Sequence, residues 1–302
     1  MQLSMWTGYL DQLSVYDAVR EFANKNWHTL EISNEHAHEL LHEGRDHFKT
    51  GREFRDYAND LGVSFPQGHF YLTKSYRVTT SGLREGVEWA DIAPPTQPEI
   101  QAVLDDMKKW MDLFAGLDVK AGVIHAGGTM LPSLGWSDGR MLEHRAGSLR
   151  QIAQMAEGTG VMICIENVPH DRSGAQTATE IRELIETAGG VNLSICLDTG
   201  HANMIGIDAA GFVDESADLL MALHVTDNLG QEDDHILPYS HGTVDWTRFV
   251  AALKRTGYDG LFNFEIPGET RAYPGHKTER YPKEILLRKL DYMRSLGEWM
   301  IE

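Results

Sequence analysis

Short apolar runs and longer amphipathic segments alternate from one end of the chain to the other, the pattern of repeated β-α units wound around a parallel sheet. Eight units can be counted, with strands predicted at Gln2–Gly8, His28–Ser33, Ser64–Phe70, Ala121–Ala126, Val161–Asn167, Leu193–Thr199, Met221–Thr226 and Gly260–Ile266. Several are apolar throughout and carry β-branched residues, as strands buried on both faces must be. Between the third and fourth, Thr96 is placed to cap a helix with Pro98 in its first turn. There Ile100, Val103, Leu104, Met107, Met111 and Phe114 recur on one face until Gly116. Leu286, Leu290, Met293 and Leu296 repeat at helical spacing near the C-terminus and close an outer ring. The fold class predicted is α/β, a (β/α)8 TIM barrel: a parallel eight-stranded barrel with outer helices, a design that needs about 250 residues. No Ser/Gly linker or low-complexity segment marks a boundary, so residues 1–302 are expected to form a single domain. The stretches Thr73 to Pro95 and Gly127 to Gly139 are long for βα connections, which lie at the catalytic face of such a barrel, and are candidate substrate lids.

Composition narrows the function. The 42% hydrophobic and 24% charged fractions are those of a globular protein, and no apolar run approaches the roughly 20 residues of a membrane span. The N-terminus reads directly into a strand without a basic segment and apolar stretch, so no signal peptide and a cytoplasmic location are expected. Cys164 and Cys196, the only cysteines, lie in apolar runs without a CxxC spacing and are expected as buried free thiols. A formal charge of −18 repels a phosphate backbone, which argues against nucleic acid unless a metal cluster supplies local positive charge.

The chemistry sits at the strand ends. The third strand ends in Gly68-His69-Phe70, the fourth in Ile124-His125-Ala126-Gly127, the fifth in Cys164-Ile165-Glu166-Asn167 and the sixth in Leu197-Asp198-Thr199-Gly200-His201. The seventh carries Leu223-His224-Val225-Thr226-Asp227 and the eighth Asn263-Phe264-Glu265-Ile266. Taken singly, a strand-end histidine is more often a hydrogen-bonded core group and a glutamate often caps the next helix. Six consecutive strands delivering such groups at one end are a different matter. Burying several carboxylates together costs many kcal/mol, and a divalent cation offsets that cost. Glu166, Asp198, His224 and Glu265 form a three-oxygen, one-nitrogen set suited to Mn²⁺, Mg²⁺ or Co²⁺, with Mn²⁺ foremost, while additional histidines shift preference toward Zn²⁺. Phe70, Tyr71 and Trp136 are candidates for an apolar wall behind a small carbohydrate substrate, against the commoner reading of barrel aromatics as packing. Glu31 ends the second strand, where a pocket-facing and a helix-capping role are equally served; His170 reads as a solvated loop residue more than a substrate contact. A homo-oligomer contact, if one forms, has its best candidates in Trp89 and Pro94-Pro95.

These motifs resemble the xylose isomerase-like barrels, a superfamily that includes D-tagatose 3-epimerase-type sugar epimerases and the endonuclease IV family. The resemblance spans nearly the whole chain and rests on Glu166-Asn167, Cys196-Leu197-Asp198-Thr199-Gly200-His201, His224-Val225-Thr226-Asp227-Asn228, Asp233-Asp234-His235 and Val244-Asp245-Trp246. It implies a metal-dependent sugar isomerase or epimerase in which Glu166, Asp198, His224 and Glu265 hold one metal. The two glutamates are then also the catalytic acid/base pair, and His201 contacts substrate oxygens. An arginine that the epimerases place shortly after the His224 equivalent is absent, the stretch reading Asp227-Asn228-Leu229-Gly230. The endonuclease IV resemblance instead carries His69, His125, Glu166, Asp198, His201, His224, Asp233, His235 and Glu265 onto residues that hold three zinc ions. Against it, Asn34-Glu35-His36-Ala37-His38-Glu39 offers no cation to a phosphate backbone. A carbohydrate lyase, dehydratase or decarboxylase, shares the enolising first step, and a non-catalytic metal- or sugar-binding module would keep the metal without turnover.

Overall fold

The computed structural model describes residues 1–70, 97–127, 136–169, 174–271 and 280–302, with the backbone alone over 97–100. Both predicted lids fall largely outside this set, as do Tyr71, Trp89, Pro94, Pro95 and His170. The strands are β1 (Gln2–Trp6), β2 (Thr29–Ile32), β3 (Ser64–His69), β4 (Ala121–His125), β5 (Met162–Glu166), β6 (Leu193–Asp198), β7 (Leu220–His224) and β8 (Leu261–Phe264). They form one eight-stranded parallel sheet in the order β7-β6-β5-β4-β3-β2-β1-β8. A parallel bridge from Val225 to Phe264, with Val225 N–H donating to Asn263 O at 2.8 Å, brings the two edges together into a barrel.

Around it run α1 (Val15–Asn24), α2 (Asn34–Glu43), α3 (His47–Asp60), α4 (Gln97–Leu117), α5 (Asp138–Met155), α6 (Ala178–Ala188), α7 (Thr199–Met204), α8 (Ala209–Ser216), α9 (Trp246–Thr256) and α10 (Lys283–Ile301). Side-chain caps start most of them, among them Ser14, Ser33, Asp46, Ser137 and Asp245, and Thr177 with Glu180 closes a reciprocal capping box on α6. On α4 Val103, Met107, Met111 and Phe114 are buried as the periodicity requires, and Leu286, Leu290 and Met293 dock α10. Helices α3 and α4 cross backbone to backbone: a Cβ on Gly116 would lie 2.2 Å from Phe48 O, and one on Gly51 2.3 Å from Leu113 O.

Alternation along each strand explains why the strands read as apolar throughout. Ile163 and Ile165 of β5, Ile195 and Leu197 of β6, and Phe262 and Phe264 of β8 belong to the main core beneath the helices. The residues between them face the barrel interior, where Ala121, Val123, Cys164, Cys196 and Ala222 pack as a separate small cluster. Both cysteines are buried free thiols within it. One step further along each strand, on the same inward face, stand His125, Glu166, Asp198 and His224. The barrel interior therefore ends in a ring of ligand-type residues at the C-terminal mouth.

Candidate metal centre

Each member of the ring is the last inward-facing position of its strand. Asp198 and His224 are register partners across β6 and β7, as are His125 and Glu166 across β4 and β5. Glu166, Asp198, His224 and Glu265 each offer one ligand atom to a group whose atoms all lie within 4.8 Å of one another. His224 Nδ1 stands 3.0 Å from Glu166 Oε1 and 3.1 Å from Glu265 Oε2. Asp198 accepts the His201 backbone N–H on Oδ1 at 2.6 Å, whereas its Oδ2 is buried without a hydrogen-bond partner among the described residues. An orphaned carboxylate oxygen beside two further buried carboxylates is expensive in a protein interior, and a divalent cation is the partner that this donor set fits.

The local backbone is built to hold these groups. Asn167 clamps the end of β6, its Nδ2 donating to Asp198 O at 2.9 Å and its Oδ1 accepting Asp198 N–H at 2.7 Å. Thr199 Oγ1 donates to Thr226 O at 2.6 Å and accepts Thr226 N–H at 2.9 Å, tying β6 to the segment after β7. Asp227 gathers the loop that follows by accepting from the N–H groups of Asn228, Thr243 and Val244 and from the Trp246 indole.

Flanking groups lie on either side. His69 Nε2 and His125 Nε2 reach Glu166 Oε2 at 3.3 and 2.9 Å, and these three form a second potential ligand group. Asp198, His201 and His235 form another, with Asp233 Oδ2 3.3 Å from His201 Nε2 and 3.0 Å from His235 Nε2. Three of these rings are aimed by a backbone carbonyl: Nδ1 of His69, His201 and His235 pairs with Phe70 O, Asn167 O and Glu265 O at 2.9, 2.8 and 3.0 Å. With Nδ1–H donating there, each turns Nε2 to the site. Glu166 is engaged through both oxygens, while the contacts of Glu265 among the described residues all use Oε2.

The electrostatics follow from burial and crowding. Burial alone would raise Glu166, but His224 and His125 outweigh it and hold that carboxyl well below its ordinary value. Glu265 goes the other way, pushed up to about 7 by burial that His224 and His235 only partly offset. Burial likewise raises Asp198. Burial opposes the protonation of His69 and His235, yet the hydrogen bonds to Glu166 and Asp233 carry both up to about 9.

The structure thus brings together Glu166, Asp198, His224, Glu265, His69, His125, His201, Asp233 and His235. It does not bring Phe70 there. That ring is 2% exposed and packs on Phe114 at 4.4 Å between centroids, over Gly122, because the residue after an inward-facing His69 must point outward. Trp136, just before α5, meets His144 edge-on at 5.3 Å and lies under the Arg140 guanidinium at 3.8 Å, contacts made with its own helix. Glu31 turns out not to cap α2, a role taken by Ser33, but to lie fully buried with Oε1 3.1 Å from His224 Nε2. Its register partners are Trp6 and Gln67, and Trp6, whose buried indole N–H has no hydrogen-bond partner among the described residues, closes the inward face of β1. A lone charge inside the apolar run Thr29-Leu30-Glu31-Ile32 was the available signal for this placement.

A family model described as xylose isomerase-like TIM barrel matches residues 29–296. The chain belongs to that family. Among relatives of this xylose isomerase-like barrel, the uncharacterized protein MJ1311 of Methanocaldococcus jannaschii is 32% identical over 155 residues, 49% of this chain and 51% of that one. An inosose isomerase of Halalkalibacterium halodurans is 23% identical over 124 residues, 39% and 44% of the two chains. The chain therefore aligns with about half or less of the length of these relatives. A crystal structure of D-psicose 3-epimerase with D-tagatose from Clostridium cellulolyticum H10 superposes over 100% of both chains with a TM-score of 0.76 at 17% identity. No described helix is long and apolar enough to cross a membrane.

Proposed function

We propose that this xylose isomerase-like barrel is a divalent-metal-dependent isomerase or epimerase of a ketose or related keto-sugar. One observation carries the reading: Glu166, Asp198, His224 and Glu265 converge at the barrel mouth while Asp198 Oδ2 has no hydrogen-bond partner among the described residues. The activities named for the inosose isomerase and the D-psicose 3-epimerase support it. These four residues would hold the cation, with Mn²⁺ the first candidate and Zn²⁺, Mg²⁺ or Co²⁺ also compatible with the donor set. A cation bound there supplies a Lewis acid that acidifies the C–H next to a carbonyl. The protein's own part is proton handling. Glu265, whose contacts among the described residues all use Oε2 and so leave Oε1 for the substrate, is the base placed to remove that proton. Glu166 would serve the opposite face of that carbon with a second proton, taken up from solvent, while Glu265 gives the first one up to solvent, and His201, aimed by Asn167 O, orients a substrate hydroxyl through Nε2. A lyase would share this first step and differ in what leaves next.

A second reading, zinc-dependent cleavage at abasic sites in DNA, is favoured by the two flanking groups around Glu166 and Asp198, which together with the central set resemble a three-metal arrangement. The net charge of −18 opposes it. Elemental analysis of the purified protein with an abasic-duplex assay separates the two. The sugar reading expects metal in the central site and an uncut duplex. Three zinc ions with strand cleavage would replace it with the endonuclease reading, since in-line attack on phosphate needs both its nucleophile and its leaving oxygen clamped.

A further inference from the structure

Four histidines are turned toward the centre by a partner on their far nitrogen, and one of the four is held differently. His69, His201 and His235 each hydrogen-bond a neutral backbone carbonyl through Nδ1, with Glu166 Oε1 a further 3.4 Å neighbour of His201 Nδ1 and Glu265 Oε2 a 4.0 Å neighbour of His235 Nδ1. His224 is reversed: Nδ1 faces Glu166 and Glu265, and the far nitrogen, Nε2, meets the Glu31 carboxylate at 3.1 Å. Both side chains are 0% exposed. Glu31 is held in turn by Asn263, whose Nδ2 donates to Oε2 at 2.5 Å. Asn263, the neighbour of Glu265 two positions along β8, shares its inward face.

This arrangement has a chemical consequence. A ring nitrogen that coordinates a cation must present its lone pair, so the ring's one hydrogen has to reside on the opposite nitrogen. On His224 that hydrogen points at an ionisable carboxylate with no competing acceptor across the hydrogen bond. A carboxylate behind an imidazole fixes its orientation and makes it a stronger donor to a metal than a carbonyl does. Leaving a charge in the barrel interior away from the reacting centre is costly unless it serves such a purpose.

We infer that Glu31, held by Asn263, is a positioning residue that locks His224 in the Nδ1-coordinating form and strengthens it as a ligand of the central metal. The inference rests on the metal reading proposed above and adds to it a residue that touches neither metal nor substrate.

The test compares wild type with Glu31→Gln and Glu31→Ala for binding of Mn²⁺ and Co²⁺ to chelator-stripped protein, alongside thermal melting of the metal-free forms and the absorption bands of the Co²⁺ forms. Removing such an outer partner weakens metal affinity by about 10- to 100-fold. Glu31→Ala should sit toward the upper end. Glu31→Gln, whose amide oxygen still accepts from Nε2–H without the charge, should sit near tenfold, with altered Co²⁺ bands. Wild-type affinity and unchanged bands in Glu31→Gln would overturn the inference, and that variant alone decides it if Glu31→Ala does not fold. A lowered melting point in the metal-free variants with wild-type metal affinity would overturn it too, by assigning Glu31 to packing. Failure of wild type itself to take up either metal would instead strike the metal reading.

Discussion

Loading this site with a divalent cation must expel protons, and how many follows from its residues. In the metal-free protein His224 stays protonated well above its ordinary value: burial opposes this, but Cys196 and the Glu265, Glu31 and Glu166 carboxylates around it outweigh burial. Burial carries Glu265 up to about 7. A ligand must be a bare imidazole or an ionised carboxylate. Above about pH 7, one proton therefore leaves His224 for each cation bound, and affinity climbs about tenfold per pH unit, ~1.4 kcal/mol. Below about 7 the Glu265 proton leaves as well, and the dependence steepens toward a hundredfold per unit. The stability of the metal-free protein runs the opposite way. His69 and His235 have folded values of about 9 against 6.5, so the native state binds the extra protons between those values. Their contribution is complete below 6.5 and is lost as pH rises through about 9, on the order of 3 kcal/mol for each. Calorimetric titration of Mn²⁺ into stripped protein, in buffers of differing ionisation enthalpy from about pH 6 to about pH 9, reads the released protons directly. Melting curves over the same range should fall with pH without metal and fall less steeply with it, because the loaded protein has given up the His224 proton but keeps those of His69 and His235. An affinity indifferent to pH, with heats indifferent to buffer, would refute the reasoning.

Other consequences are separable. Glu166→Gln and Glu265→Gln should each lower kcat by about 10²-fold or more through loss of a carboxylate that moves a proton, while weakening metal binding less than His224→Ala does; full turnover in both with metal retained would assign the proton to His125, His201 or His235. Chelation should lower the melting temperature: a cation at a hundred times its Kd adds ~2.7 kcal/mol, about 4 °C for a chain of this size, as scanning calorimetry would show. Gly116→Ala, far from the mouth, should cost about 1–3 kcal/mol by forcing α3 off α4, since its Cβ would sit 2.2 Å from Phe48 O. Denaturant unfolding checks this, and metal affinity should be unchanged.

The strands and their order were legible because a parallel barrel leaves a simple trace: outward positions must be bulky and apolar, and inward positions small or functional. Met162-Ile163-Cys164-Ile165-Glu166 shows both, and the predicted strands differ from the observed ones by a residue or two at their ends. The same alternation gathered the ligands, since the last inward residue of β4 to β7 is His125, Glu166, Asp198 or His224. Phe70 was misplaced by ignoring it, one position past an inward-facing histidine and so committed to the helix side. Glu31 stayed ambiguous for a different reason. A glutamate before a helix is common, and only the observed Ser33 cap and the 3.1 Å contact to His224 distinguish the roles. Asp233 and His235 come from the loop after β7, where period carries no information; resemblance pointed to them, and the Asp227 hydrogen bonds explain how that loop is held near His201.

The central claim is metal-assisted removal of a proton beside a carbonyl, and solvent exchange reads that step whichever product follows. Metal-loaded protein is incubated in D2O with a panel of ketoses, inososes and keto-sugar acids, and the carbon next to each carbonyl is followed by NMR. The account predicts deuterium entering at that carbon for at least one ketose or inosose, abolished by chelation, restored by Mn²⁺ and reduced about 10²-fold in Glu265→Gln. Exchange that proceeds equally in stripped protein, or no exchange with any member of the panel in protein carrying metal at the Glu166, Asp198, His224 and Glu265 site, would contradict it.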